Sequence, residues 1–301
     1  MDELRAACAT VAERASHVTI VPEAITTVYA ADRPLAKPEH QSAMWPPEEL
    51  TARWLTLDAI NFGSGWFPTL HKRSGLSGYG TIAAGLSERF AGTGAWTAAE
   101  LAEIDAATLA PILGQDPEHE LMALYARSLR DLGERVGDEY GGDFSAVTAA
   151  ARGSAVRLAL RLGEWPCFED TSRYGDLEIP FLKRAQIAAA DLHRAGAAQF
   201  RDVDRLTMFA DNLVPHVLRL DGVLRFSPGL VARIEREELI AHGSPEEIEI
   251  RACAVHAVEL LVNSARPPGL TASELDQALW QRGQQPHYKA SPRHRTRCTA
   301  Y

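Results

Sequence analysis

Asp211 is the only acid in LTMFADNLVPHVLRL, residues 206–220, where nine of fifteen positions are Leu, Met, Phe, Ala or Val. A carboxylate in so apolar a stretch has two readings. Asp and Asn are strong helix N-caps. Pro215 fits only the first turn of a helix, so a helix starting near Asp211 or Asn212 accounts for the acid as a cap. The same placement suits a catalytic carboxylate. The helix dipole and amide donors keep it ionised, while apolar neighbours limit its contact with water. The two roles are compatible.

Two cations, Lys183 and Arg184, follow EWPCFEDTSRYGDLEIPF in residues 164–187. Pro180 reads as the opening of a helix, which puts both in its first turn, where they oppose the dipole. They are either a solvated pair or they face an anion, a phosphate or the Asp211 carboxylate. Asp170, just after Phe168, reads as a turn or N-cap residue. The stretch NFGSGWFPTLHKRSGLSGYG, residues 61–80, combines five glycines with Phe62, Trp66, Phe67 and Tyr79. It lacks GxxxxGK[ST] and follows a helix rather than a strand, which argues against a P-loop. It reads as a long turn anchored by its aromatics, or as a platform for a planar base, worth ~1–3 kcal/mol per stacked base.

The elements that must position these residues are mostly helices. Capping boxes mark three starts: Thr97 with Glu100, Ser244 with Glu247, and Thr271 with Glu274. Apolar residues recur at helical spacing near 2–17, 47–60, 77–90, 117–136, 144–162, 180–195, 212–220 and 229–240. Strands are few and short: 18–22, and a hairpin across 173–179. The expectation is a mainly α protein, one compact helical domain over 1–301 in one or two lobes, with a few short strands. The tail 285–301 carries Lys289, Arg293, Arg295 and Arg297 and no acid. Its alternation around His294 suits a short strand or a docked segment.

The totals exclude several classes. At a net charge of −9 the chain is a poor binder of duplex nucleic acid, whose affinity comes largely from phosphate contacts. No apolar run is long enough to span a membrane, and the N-terminus reads as an amphipathic helix, not a signal peptide. A soluble cytoplasmic protein is expected. Cys8, Cys167, Cys253 and Cys298 are too dispersed for a zinc site, and the ten histidines form no HExxH.

FLKRAQI, FRDVDRLTMFADNLVPHVL, EEIEIRACAVHAVEL, LDQALW and PRHRTRCTAY, with NFGSGW and GGDF, resemble the queuosine salvage protein family, in order from about residue 20 onward. The resemblance implies a helical fold similar to helix-hairpin-helix DNA glycosylases, an ordered tail, and no metal or organic cofactor. It implies an N-glycosidase that releases queuine from a small-molecule nucleotide, queuosine 5′-monophosphate. Asp211 matches the catalytic Asp near a helix start, and Lys183 the active-site lysine. The chain departs at Asn212, where relatives carry an aromatic, and in the enlarged Gly-rich loop after Phe62. For such a substrate, Phe62, Trp66 or Phe168 suits the flat base and Asp170 the amine and diol of its arm. Arg184, Tyr79 or His294 suits the phosphate. The competing readings are a glycosylase of other specificity and a non-catalytic carrier of a modified nucleoside.

Overall fold

A computed structural model describes residues 1–27, 45–264 and 269–301. Among these, fifteen α-helices stand against four strands of three or four residues, so the mainly α expectation holds. No helix of the described residues is long and apolar enough to cross a membrane. The chain forms two compact units, each assembled from separated segments. The first comprises Met1–Glu39, Thr171–Lys183 and Asp204–Arg297; the second comprises His40–Asp170, Arg184–Val203 and Cys298–Tyr301.

The first unit is built around the helix Pro245–Ser264. Its sequence has little amphipathic contrast because it is buried on nearly every side, from Glu247 to Leu261. The helices Asp2–Arg14, Leu213–Leu220 and Ala272–Arg282 pack against it. Buried charge on this helix must be partnered. Glu249 accepts the amides of His17 (2.6 Å) and Val18 (3.1 Å) and the Tyr174 hydroxyl (2.8 Å). Glu247 lies 3.6 Å from Arg251 and 3.6 Å from His242. Ser244 accepts the Glu247 amide at 3.3 Å, but the Glu247 carboxylate reaches the Gly243 amide at 3.1 Å, so the expected capping box is only half formed. Val18–Ile20 pairs antiparallel with Leu224–Phe226, a partnership between distant segments that no local pattern announces.

The hairpin of the first unit pairs Thr171–Tyr174 with Leu177–Pro180. Pro180 therefore closes a strand instead of opening a helix, and the helix starts at Lys183. Between them Leu182 adopts φ 53°, a left-handed conformation that costs a bulky residue of order 1–3 kcal/mol.

In the second unit the 21-residue helix Glu120–Tyr140 lies close to Ala98–Ala102. Gly133 permits this: a Cβ there would meet the Ala98 carbonyl oxygen and the Ala102 nitrogen at 2.5 Å. The periodic stretch 144–162 forms two helices, Phe144–Ala150 and Ala155–Gly163. Arg152 (φ 49°) and Gly153 (φ 72°) turn the chain between them. Ser154 then caps the second helix by accepting the Arg157 amide at 3.1 Å. The tail is ordered. Residues 293–297 belong to the first unit, where Arg295 bridges Leu239 in parallel, and Cys298, Ala300 and Tyr301 are buried in the second.

Candidate active site

The segment leading into helix Leu213–Leu220 is fixed residue by residue within the first unit. The Phe209 amide donates to Asp276 Oδ1 at 3.1 Å. Arg251 Nε donates to the Ala210 carbonyl at 2.9 Å, and the Asp211 amide donates to the Phe209 carbonyl at 2.7 Å. Arg251 is fully buried, with its guanidinium 3.9 Å from the centre of the Phe181 ring. Asp211 Oδ1 accepts the amides of Leu213 (2.9 Å) and Val214 (3.0 Å), so it is the cap of the helix. Its Oδ2 receives no hydrogen bond from the described residues. One oxygen holds the geometry, and the other stays open among the described residues.

Asp211 keeps some accessible surface, yet protein encloses the carboxyl group on most sides. Burial pushes it above the ordinary carboxylate range, and the Lys183 charge, the two capping amides and the Arg293 charge pull it back without cancelling the shift. The caps alone were expected to keep it ionised; enclosure outweighs them. Lys183 is 4% exposed and begins its helix, where the dipole opposes a cation, and the Asp211 charge offsets part of that cost.

His294 is buried in the same unit, and its ring is held neutral, at about 3, first by burial. Its carbonyl accepts from Asn212 Nδ2 at 3.2 Å. Asn212 makes no cap bond of its own; its side chain ties the tail to the start of the helix.

The other sequence candidates belong to the second unit. Arg184 is 1% exposed. Its Nη1 donates to the carbonyls of Ala59 (2.7 Å) and Cys167, and its Nε to that of Ala300 (3.3 Å). The same guanidinium lies 5.1 Å from the ring centre of Phe62 and 5.7 Å from that of Phe168. Asp170, also buried, contributes its charge to Arg184. Phe62, Phe168, Asp170 and Arg184 are thus brought together as a buried cluster.

Phe62 meets Tyr125 edge-on at 5.0 Å, and the Tyr125 hydroxyl donates to the Phe62 carbonyl at 2.8 Å. Gly63 follows with φ 106° and no room for a Cβ, 2.9 Å from Leu121. The loop amides are largely spent on the chain itself: Gly63 donates to Tyr301, and Trp66 and Phe67 to Gly63. Trp66 is buried and its Nε1 donates to Glu120 at 2.7 Å. Tyr79 is half-buried, its hydroxyl pushed up first by burial and then by Asp58 and Asp191.

The supports of Asp211 escaped the sequence. Asp276 and Arg251 lie 65 and 40 residues beyond it. The one available signal was a helix of low amphipathic contrast carrying Glu247, Glu249 and Arg251.

A family model described as queuosine salvage protein matches residues 42–301. A Sphaerobacter thermophilus protein named queuosine 5′-phosphate N-glycosylase/hydrolase is 37% identical over 265 residues, 84% of this chain and 82% of its own. Proteins of the same name from Dictyostelium discoideum and Nematostella vectensis are similar as well. The first is 32% identical over 82% of this chain and 77% of its own length. The second is 31% identical over 71% and 67%.

Proposed function

The chain belongs to the queuosine salvage protein family, and on that premise we propose that it is an N-glycosidase that hydrolyses queuosine 5′-monophosphate to queuine and ribose 5-phosphate. The freed base is then available for tRNA modification. The observation that carries the chemistry is Asp211, one oxygen spent as a cap and the other open, with Lys183 and Arg293 as the charges around it.

Breaking the bond between base and ribose leaves positive charge on the sugar ring. A fixed carboxylate about 4 Å away stabilises that charge by roughly 4 kcal/mol at an effective dielectric near 20. Water held by Oδ2 attacks the anomeric carbon and gives a proton to the carboxylate. The electron pair of the cleaved bond leaves with the base, which takes up one proton. The base is a 7-deazaguanine and lacks the ring nitrogen at position 7 that purines can protonate, so stabilisation at the sugar carries more of the barrier. Lys183 limits the rise in the Asp211 pKa and keeps a working fraction ionised.

The test is chromatography of purified protein incubated with queuosine 5′-monophosphate, beside queuosine and guanosine monophosphate. Free queuine from the monophosphate is expected. Release from none of the three, with tight binding, would make the protein a carrier.

A further inference from the structure

Arg293 has five N–H donors and spends none of them: among the described residues it forms no hydrogen bond and no ion pair. It is nonetheless half-buried. A guanidinium withdrawn from water without a partner is unfavourable on its own account.

Its backbone is held as firmly as its side chain is unattached. Arg219 Nη2 donates to the Pro292 carbonyl at 3.0 Å. Asn212 Nδ2 donates to the His294 carbonyl at 3.2 Å, and the Ile240 amide to the Arg295 carbonyl at 2.9 Å. Three clamps around one residue aim a side chain that the protein itself does not use. The second clamp is the neighbour of Asp211, so the guanidinium sits in the field of that carboxylate without pairing with it.

We propose that Arg293 receives the 5′-phosphate of the substrate and sets the preference for nucleotide over nucleoside. The assignment rests on the N-glycosidase reading. The 5′-phosphate is joined through the ribose to the carbon that Asp211 serves, and a planar, bidentate donor whose backbone is tied beside Asp211 suits it. The cations considered from sequence are less suited: Arg184 is committed to three carbonyls, and His294 is neutral. The bland alternative is a charge that only balances Asp211, and the two ideas separate on substrate.

The experiment compares kcat/KM for queuosine 5′-monophosphate and for queuosine in the wild type, Arg293→Gln and Arg293→Lys. Arg293→Gln is expected to lower the value for the monophosphate roughly 100-fold and that for the nucleoside far less. Arg293→Lys, charged but without the fork, falls between, and it carries the comparison if the Gln variant does not fold. Equal losses on both substrates, or no loss on either, would overturn the assignment while leaving the N-glycosidase intact. A wild type that prefers the nucleoside or ignores the phosphate would overturn it too. A wild type that cleaves neither would remove the underlying function.

Discussion

At the scale of single residues, Asp211 joins two demands that pull against each other. The proposed hydrolysis needs it charged, and its enclosure favours the neutral form. Asp211→Asn keeps an acceptor for the Leu213 and Val214 amides but loses the charge. Turnover should fall ~10²–10⁴-fold with substrate binding retained, measured by single-turnover kinetics beside equilibrium binding. Near-normal turnover would remove Asp211 from the mechanism. In the wild type, kcat should be lost as pH falls through a midpoint above the usual range for Asp, because that carboxyl protonates early. The same shift has a stability side. A carboxyl whose folded-state pKa is raised binds its proton more tightly when folded, so stability falls as pH rises from the unfolded value through the folded one. Asp211→Asn should therefore melt a few degrees higher than the wild type at neutral pH; an unchanged or lower melting temperature would contradict this.

At the scale of elements, the helix Pro245–Ser264 carries charge into the core to hold the Asp211 segment in place. Arg251→Ala should destabilise the protein by ~3–5 kcal/mol, because Glu247 is left buried without its guanidinium, and urea unfolding measures it. Burial works against the Glu247 charge, but His242, Arg251 and the Gly243 amide together hold it at about 2. The stability it contributes is therefore present above its ordinary value of 4.5 and lost as pH falls from there toward about 2. Local chemistry made some elements legible. The Thr97 and Thr271 boxes form as their spacing demands, and Pro215 in the first turn located the helix behind Asp211. What stayed hidden depends on partners remote in sequence. Pro180 reads as a helix opener until Thr171 is seen beside it. The Arg152–Gly153 break was available in the letters, yet periodicity on both sides masked it. Arg293 looked like one base among several in a basic tail, and only its clamped backbone and unspent donors distinguish it.

At the scale of the molecule, neither compact unit is a continuous piece of chain. The segments alternate, and the change from one unit to the other falls at Glu39, at Asp170, at Lys183, at Val203 and at Arg297. A single cut at Asp170, Lys183 or Val203 therefore divides both units. Deleting residues 298–301 removes the buried side chains of Cys298, Ala300 and Tyr301 from the second unit. The shortened protein should melt at a lower temperature by calorimetry, by the several kcal/mol typical of lost core side chains, ~2–5 each for the larger ones. A melting temperature equal to that of the intact chain would show the cluster to be dispensable.

The helix Asp2–Arg14 offers Leu4, Cys8 and Val11 to a partner, Pro245–Ser264, that is made more than 230 residues later. At ribosomal speeds of about 5–20 residues per second, the first helix waits roughly ten seconds to a minute for its docking site to be synthesised. During that interval its apolar face is open to chaperones, to neighbouring nascent chains on the same message and to proteases. Slower translation between the two helices should therefore lengthen the exposure of this apolar face, well before any property of the finished fold applies.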